Sequence, residues 1–364
     1  MTERNRQDPA EQASRLIREL GCHPFQQRPP WWGPDLQTLR DSLRPLPLPP
    51  CRARALRFPI GESACLVGLL DQPMADQPAA LVLLVHGLGG SSGAPGVRRL
   101  AWGLQQHGLA VLRLNLRGAG PGRALAAGTY AADCSDDLLP VLRQARQLAG
   151  DLGGASGPLP LLGAGLSLGG TVLLNATRAA LGRGEPGLDA LICISSPLDL
   201  HSCTQQFERP RNHVYQRWLV ERLRRQTLAD PFGLRAEERQ ALSGAERPRT
   251  IRGFDALITV PRWGHASVEA YHAATSPQRW LEQADALPPT LLLHADDDPW
   301  VPAAPAQALM QRRAAGGDDQ GGPLQLILTE RGGHNGFHGL GDGPLGSWSD
   351  RLACRWLADH SRPA

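Results

Sequence analysis

The sequence contains no lysine, because all 38 basic residues among its 364 are arginine. This absence excludes a P-loop phosphate site, whose motif ends in Lys followed by Ser or Thr. It also excludes a Schiff-base lysine for pyridoxal phosphate or a carbonyl substrate, and the phosphate-binding lysine of protein kinases. The remaining candidate chemistries are those that need no ammonium group.

Long apolar runs and paired cysteine spacings are also missing. The longest apolar runs, such as Ala79–Val85, are far shorter than a membrane span. The first 21 residues contain no apolar core of a signal peptide, so we expect no secretory signal. Seven cysteines are dispersed with no C-x-x-C spacing, which favours reduced thiols. We therefore expect a cytoplasmic protein.

The composition is that of an ordinary soluble protein, with 41% apolar and 20% charged residues. The formal net charge of +3 is small, since 35 acidic residues nearly balance the arginines. We therefore expect no nucleic-acid partner. The length suits one large α/β domain or two small domains.

Apolar runs alternate with helix-length segments from Arg54 onward. Residues 1–50 are polar and then proline-rich, and we interpret them as an arm with one helix, about Pro9 to Leu20, laid over a domain of residues 51–364. The candidate strands are Ala55–Pro59, Ala64–Leu70, Ala80–Val85, Ala110–Asn115, Leu159–Gly163, Ala190–Ser195, Thr290–His294 and Leu324–Thr329. The first two resemble a hairpin, and the rest form a βαβ series. This order predicts an α/β fold with a mostly parallel eight-stranded sheet and helices on both faces.

One interval is too long for this alternation of strands and single helices, because residues 198–287 separate the sixth and seventh strands. It contains the amphipathic segment Arg211–Gln226, with apolar residues at helical spacing. Such an insertion is either a lid over a site or a surface helix packed on the sheet. The arginine-rich stretch 209–225 leaves two interpretations open, a peripheral contact with a membrane surface and a solvated helix face.

The pentapeptide Gly-x-Ser-x-Gly occurs twice, centred on Ser91 and on Ser167. A nucleophile elbow is a sharp turn from a strand into a helix, with small residues on both sides. Ser167 fits, because an apolar strand runs directly into it and Gly169-Gly170 opens a helical pattern. Ser91 lies six residues beyond its strand and is followed by Ala94-Pro95, which favours a loop or helix-cap role. Ser167 is therefore the candidate nucleophile.

The glycine-rich segment His86–Gly90 directly follows the third strand. Backbone N–H groups of such a loop can point at a developing oxyanion. The expected donors are the N–H of Leu88 and the N–H of Leu168, the residue after the nucleophile. A tight turn that needs glycine is compatible with this role. We interpret His86 as a structural residue of the loop rather than as a base.

A serine nucleophile needs a base and an acid, which later strands usually supply. Asp296, Asp297 and Asp298 follow the seventh strand, and a turn cap or a hard-metal site are the competing interpretations. His334 follows the eighth strand between glycine pairs and is preferred as the base over His338. Three other histidines have different expected roles: His294 at a strand end or in the core, and His265 and His272 in a solvated or lid position.

The combined order of Ser, Asp and His along the chain is that of the α/β hydrolases. The chain resembles this superfamily and, within it, the AB hydrolase 4 family of esterase- and lipase-like proteins. The resemblance covers about Pro24 to Trp356 and rests on several motifs. These are PPWWGPDLQTL at 29–39, HGLGG at 86–90, LNLRG at 114–118, the elbow at 165–170, Phe254-Asp255, Glu269-Ala270-Tyr271, DDDPWVP at 296–302 and GGHNGF at 332–337.

The resemblance implies Ser167 as nucleophile, His334 as base and Asp298 as the acid, with no metal or organic cofactor. It implies hydrolysis of short- to medium-chain acyl esters or acyl lipids. An acyltransferase with the same triad and a catalytically silent binding scaffold are the alternatives. Two positions differ from the family pattern: Asp35 stands where the family usually has His, and His272 stands in place of the second Tyr of a Tyr-Tyr pair.

Overall fold

Eight strands form one sheet in the computed structural model, which describes residues 9–44, 46–50, 52–73, 75, 77–245, 247–284, 286–315 and 323–362. The strands are β1 (Arg54–Pro59), β2 (Cys65–Asp71), β3 (Leu81–Val85), β4 (Ala110–Asn115), β5 (Leu161–Leu166), β6 (Ala190–Ile194), β7 (Thr290–Ala295) and β8 (Leu324–Thr329). Their order in the sheet is β1-β2-β4-β3-β5-β6-β7-β8. Only the β1–β2 and β2–β4 pairings are antiparallel, so the predicted hairpin and mostly parallel sheet are confirmed.

One predicted strand is shifted by more than one residue: β5 begins at Leu161 rather than Leu159 and continues to Leu166 rather than Gly163. Pro158 and Pro160 explain the later start, because proline has no N–H to donate to a neighbouring strand. The extension to Leu166 brings the strand up to the candidate nucleophile Ser167 without an intervening loop.

Helices cover both faces of the sheet, as the βαβ series predicted. They are α1 (Pro9–Glu19), α2 (Gly33–Leu43), α3 (Pro95–Gln106), α4 (Ser135–Gly153), α5 (Leu168–Arg183), α6 (Leu200–Glu208), α7 (His213–Leu228), α8 (Ala236–Ser243), α9 (Ile251–Phe254), α10 (Val260–Arg262), α11 (Val268–Thr275), α12 (Gln278–Leu281), α13 (Ala304–Ala315) and α14 (Trp348–Asp359). Alternate residues of β3 enter opposite cores: Leu81 and Leu83 pack on one face, and Val82 and Leu84 pack on the other.

The segment between β6 and β7 contains α6 to α12. Its helix α7 packs against α6, α8 and α9, and it buries Leu219, Val220 and Leu223 in two small apolar clusters. Val214 and Trp218, which share the helical spacing of the predicted amphipathic segment, are exposed. The inserted helices thus have small cores of their own beside the two cores of the sheet.

The N-terminal arm contains two helices, so the prediction of a single helix over Pro9 to Leu20 was incomplete. That helix is present as α1, which lies against β8. The second helix, α2, begins within the proline-rich segment, and Pro34 occupies its first turn. Proline is well tolerated there because the first helical N–H groups have no partner within the helix.

The turn after β5 brings three backbone segments close together at glycines. A Cβ added at Gly169 would overlap the carbonyl oxygen of Val85, and one added at Gly165 would overlap the backbone of Gly170. These contacts lie between main-chain atoms, so no side-chain rotation relieves them. The glycines of the Ser167 pentapeptide are therefore required by packing.

We expect Gly169→Ala to lower the free energy of unfolding by about 2–3 kcal/mol, because the added methyl must displace main chain in a packed core. Urea denaturation followed by circular dichroism measures this loss. Gly150→Ala is the matched control, since no atom lies within 4 Å of its added Cβ in α4. That substitution should stabilise the protein by up to about 1 kcal/mol, the helix-propensity difference. Equal unfolding midpoints for the two variants would contradict the packing argument.

Candidate active site

Ser167 occupies the turn between the end of β5 and the start of α5. Its backbone has φ 54° and ψ −129°, a conformation that non-glycine residues rarely adopt. The Ser167 N–H donates to the carbonyl oxygen of Ile194 at 2.8 Å, which holds the turn against the end of β6. Backbone strain of this kind at a single turn is typical of functional sites.

His334 lies in the loop between β8 and α14 and contacts both other predicted triad members. Its Nε2 is 2.9 Å from the Oγ of Ser167, and its Nδ1 is 2.8 Å from the Oδ2 of Asp298. The imidazole is nearly buried, with 5% of the residue exposed. The structure therefore brings together the three residues that the sequence predicted from three separate loops.

Only one of the three consecutive aspartates faces His334. The other oxygen of Asp298, Oδ1, accepts hydrogen bonds from the N–H groups of Trp300 and Val301 at 2.8 and 2.9 Å. Burial alone would raise the pKa of Asp298, but His334 and these donors hold that pKa below its usual value. Asp298 is therefore held as a carboxylate.

The neighbouring carboxylates have other partners. Asp296 accepts from the side chain of Gln307, and Asp297 accepts from the N–H of Gly333 at 2.8 Å. Burial raises the pKa of Asp297. The three side chains thus diverge, and Asp297 holds the loop that carries His334.

The N-terminal helix α2 also supports the histidine loop. Thr38 Oγ1 donates to Pro34 O at 2.7 Å and accepts from the His334 N–H at 2.8 Å. Gln37 is buried and pairs with the backbone of His338, accepting from its N–H and donating to its carbonyl oxygen. The position of the His334 backbone therefore depends on a segment almost 300 residues away along the chain.

Trp300 stacks on the His334 ring, with centroids 4.6 Å apart and an interplanar angle of 29°. The stack restricts rotation of the imidazole about its χ angles. Sequence reasoning did not identify this role, although Trp300 lies in the DDDPWVP motif. The only sequence signal is its position two residues after Asp298, which cannot reveal a ring contact.

The loop His86–Gly90 passes beside the serine, since a Cβ at Gly87 would lie 2.9 Å from that of Ser167. Among the described residues, the Leu88 and Leu168 N–H groups donate to no backbone or side-chain acceptor. Two unused donors next to a serine hydroxyl have the arrangement of an oxyanion site.

Three side chains fix this loop. His86 is fully buried, its Nδ1 lies 2.8 Å from the Gly87 carbonyl oxygen, and its Nε2 accepts from the Leu116 N–H. Burial lowers the pKa of His86 to about 4, so it stays neutral. Tyr130 accepts from the Gly89 N–H at 2.6 Å, and Arg222 of α7 donates twice to the Gly89 carbonyl oxygen. The inserted helices thus contact the loop that carries Leu88.

In the described part of the chain, the remaining candidate histidines are not hydrogen-bonded to Ser167 Oγ. His294 is buried at the end of β7 beside the Val301 carbonyl oxygen, as expected for a strand-end histidine. His338 is buried 3.7 Å from Asp41, and burial lowers its pKa to about 2. Of the solvated and lid positions expected for His272, the structure excludes the solvated one, because this residue is 1% exposed and lines the cavity described next.

A cavity of about 410 Å³ opens above Ser167. The sheet loops contribute one wall, which includes Leu88, Leu168 and His334. The segment between β6 and β7 contributes a second wall, in which apolar residues outnumber polar ones: Pro197, Leu200, Cys203, Thr204, Phe207, Trp218, Leu219, Arg222, Leu223, Gln226, Thr227, Ile251, Phe254, Asp255, Thr259, Tyr271 and His272. The site is therefore a covered, largely apolar pocket with a nucleophile at its floor.

A family model described as "Serine aminopeptidase, S33" matches residues 76–320, more than half of the chain. Its members are α/β hydrolases, in agreement with the strand order and with the elbow after β5. The chain belongs to the α/β-hydrolase superfamily. This assignment confirms the resemblance that the motifs of the sequence indicated.

Curated relatives of this α/β hydrolase include esterases and phospholipases. The Escherichia coli K12 protein named "Putative esterase YheT" is 28% identical over 274 residues, which are 74% of each chain. Mouse "Phospholipase ABHD3" is 27% identical over 258 residues, covering 70% of this chain and 58% of the mouse protein. At the family level, the chain is an esterase-like hydrolase.

Solved structures that are similar to this chain have low sequence identity to it. A propionate-bound esterase from Thermogutta terrifontis superimposes with a TM-score of 0.49 at 18% identity, covering 85% of this chain and 94% of that one.

Within the described part of the chain, no helix has the combined length and hydropathy needed to cross a membrane.

Proposed function

We propose that this α/β hydrolase cleaves carboxylic esters, either short- to medium-chain acyl esters or acyl lipids, through an acyl-enzyme intermediate. The observation that carries the proposal is the pair of hydrogen-bond distances at His334, 2.9 Å to Ser167 Oγ and 2.8 Å to Asp298 Oδ2. A serine, a base and an orienting acid in this arrangement are the parts of nucleophilic acyl transfer.

In the proposed first half-reaction, Ser167 Oγ attacks the ester carbonyl carbon while His334 Nε2 takes the hydroxyl proton. The carbonyl oxygen becomes an oxyanion that the N–H groups of Leu88 and Leu168 stabilise, at about 3 kcal/mol per donor. Asp298 keeps the Nδ1 proton on the imidazole and stabilises the imidazolium. His334 then protonates the leaving alkoxide, and the alcohol departs.

In the second half-reaction, His334 takes a proton from water, and the resulting hydroxide attacks the acyl-enzyme carbonyl. The tetrahedral intermediate collapses, Ser167 Oγ leaves and regains its proton from His334, and the carboxylic acid is released. The original Ser167 proton leaves with the alcohol, and water supplies the proton that restores the Ser167 hydroxyl. The chain's own residues supply all of these steps.

A fluorophosphonate probe tests the proposal directly, because it reacts with a serine that has an adjacent base. We expect stoichiometric labelling, with the mass increase on the tryptic peptide that contains Ser167 and none on the peptide that contains Ser91. Labelling absent from Ser167, together with no turnover across a p-nitrophenyl ester chain-length series, would refute the proposal. A new ester formed in the presence of added alcohol would identify an acyltransferase instead.

A further inference from the structure

The cavity wall contains a second histidine–carboxylate pair that the proposed mechanism does not use. His272 Nε2 lies 3.4 Å from Asp255 Oδ2, and Asp255 Oδ1 accepts a hydrogen bond from Thr259 Oγ1 at 2.8 Å. All three residues line the same cavity as Ser167. A polar group of this kind in a mainly apolar pocket typically orients a ligand.

One nitrogen of His272 lacks a hydrogen bond. The residue is 1% exposed, and among the described residues its Nδ1 has no hydrogen-bond partner. With the imidazole in its neutral form, Nε2–H donates to the Asp255 carboxylate, and Nδ1 then carries a lone pair. A buried acceptor with no donor is costly, which points to a donor supplied by the ligand.

The backbone around Asp255 is also unusual. Residues Asp255–Thr259 form a π-helical turn between α9 and α10, and the hydrogen bond from Thr259 to Asp255 closes within that turn. π-Helical turns are rare and occur frequently at functional sites. This turn therefore supports a binding role for Asp255 independently of the unpaired nitrogen.

Helix α6 connects this pair with the triad. It packs against α11, which carries His272, and the rings of His201 and His272 lie 6.4 Å apart. Farther along α6, Cys203 and Phe207 line the cavity, and Phe207 contacts the triad neighbour Trp300. One wall thus extends from the triad to the His272 pair, and both line the same cavity.

We propose that His272 Nδ1 accepts a hydrogen bond from a hydroxyl group of the substrate, remote from the scissile ester. This inference rests on the proposed esterase function and defines its substrate class as hydroxyl-bearing carboxylic esters. The hydroxyl belongs either to the acyl chain or to the alcohol part of the ester. Asp255 orients the ring by accepting a hydrogen bond from Nε2–H.

The site fits a hydroxyl better than an ammonium group. The unpaired nitrogen offers one lone pair, which matches one O–H donor, whereas an ammonium group brings three N–H donors. Both oxygens of Asp255 already face Thr259 and His272. The adjoining residue Phe254 is apolar, so an ammonium group here would keep unpaired donors.

Matched esters test the proposal. The acyl arm compares p-nitrophenyl hexanoate with its 3-hydroxy and 6-hydroxy derivatives, and the alcohol arm compares hexyl butyrate with 6-hydroxyhexyl butyrate. We expect the protein to favour the hydroxylated member of one arm by about tenfold or more in kcat/KM, because a site that pairs with a hydroxyl discriminates against its absence. The arm that shows the preference identifies the part of the ester that carries the hydroxyl.

Substitutions at His272 separate hydrogen bonding from shape. His272→Phe keeps a ring without an acceptor, and we expect it to abolish the preference. His272→Asn should restore part of it, because the Asn oxygen is bonded to Cγ as Nδ1 is. His201→Gln is the matched control, since this histidine is exposed and lies outside the cavity lining. This variant should prefer the hydroxylated ester as strongly as the parent protein does.

Several results would overturn the proposal. The first is equal kcat/KM for the hydroxylated and plain esters in both arms. The second is a preference for the hydroxylated ester that survives in His272→Phe. The third is a stronger preference for the matching amino ester than for the hydroxy ester. A binding measurement on Ser167→Ala keeps this test independent of turnover. In ¹⁵N-histidine spectra of that variant, the hydroxylated ester should shift the His272 Nδ1 resonance, and the plain ester should leave it in place. An unshifted resonance refutes the hydroxyl site even if the esterase function holds.

Discussion

Replacing Ser167 with alanine is expected to lower kcat for p-nitrophenyl ester hydrolysis by about a millionfold. The variant loses the attacking oxygen, and His334 then has no hydroxyl to deprotonate. Residual turnover would come from water bound near the oxyanion donors. Because Ser167 has φ 54° in a turn that tertiary packing enforces, the alanine should adopt the same backbone and the fold should persist.

The measurement is single-turnover and steady-state release of p-nitrophenol, with circular dichroism to check the fold. Ser91→Ala is the control, because within the described residues Ser91 Oγ accepts from the Gly93 N–H in the loop before α3 and contacts no triad member. We expect the control to retain at least about half of the parent activity, as for a surface substitution. Equal turnover by Ser167→Ala and the parent protein would exclude Ser167 as the nucleophile.

Asp298→Asn is expected to lower kcat by about ten-thousandfold with little effect on the fold. The Trp300 and Val301 N–H groups both require an oxygen at the Oδ1 position. The asparagine NH₂ must then face His334 Nδ1 in place of the carboxylate oxygen. This donor forces the imidazole proton onto Nε2, so the ring can no longer accept the Ser167 proton.

Asp296→Asn is the control for this prediction. Asp296 is exposed and accepts from Gln307, so its loss should change kcat by less than about twofold. Stopped-flow kinetics on the two purified variants gives the comparison. A large loss in Asp296→Asn with normal activity in Asp298→Asn would reverse the assignment of the acid.

Much of the fold follows from local sequence patterns. The short apolar runs predicted the bounds of the strands within a few residues, because strands buried on both faces need consecutive apolar side chains. The shift of β5 shows the limit of that reasoning: an apolar run that contains Pro158 and Pro160 does not reveal where backbone pairing begins. Helix α2 was missed because its segment is rich in proline, which usually marks loops.

Part of the active site could also be predicted from local sequence patterns. Ser167 directly follows β5 and His334 lies in the loop after β8, and the carboxyl ends of parallel strands meet at one edge of the sheet. The residues that support His334 could not be predicted in this way, because Thr38 and Trp300 contact His334 only once the chain has folded. No periodicity or motif encodes a contact between segments that are tens to hundreds of residues apart.

The sequence by itself determined the strand order along the chain, the glycines of the elbow and the absence of lysine chemistry. These are local properties, set by residue type and spacing. The tertiary structure decided which of three consecutive aspartates faces His334, because side-chain direction in a turn depends on the donors that each carboxylate meets. It also decided that His272 is buried beside Asp255 in the cavity, since burial results from how distant helices pack together.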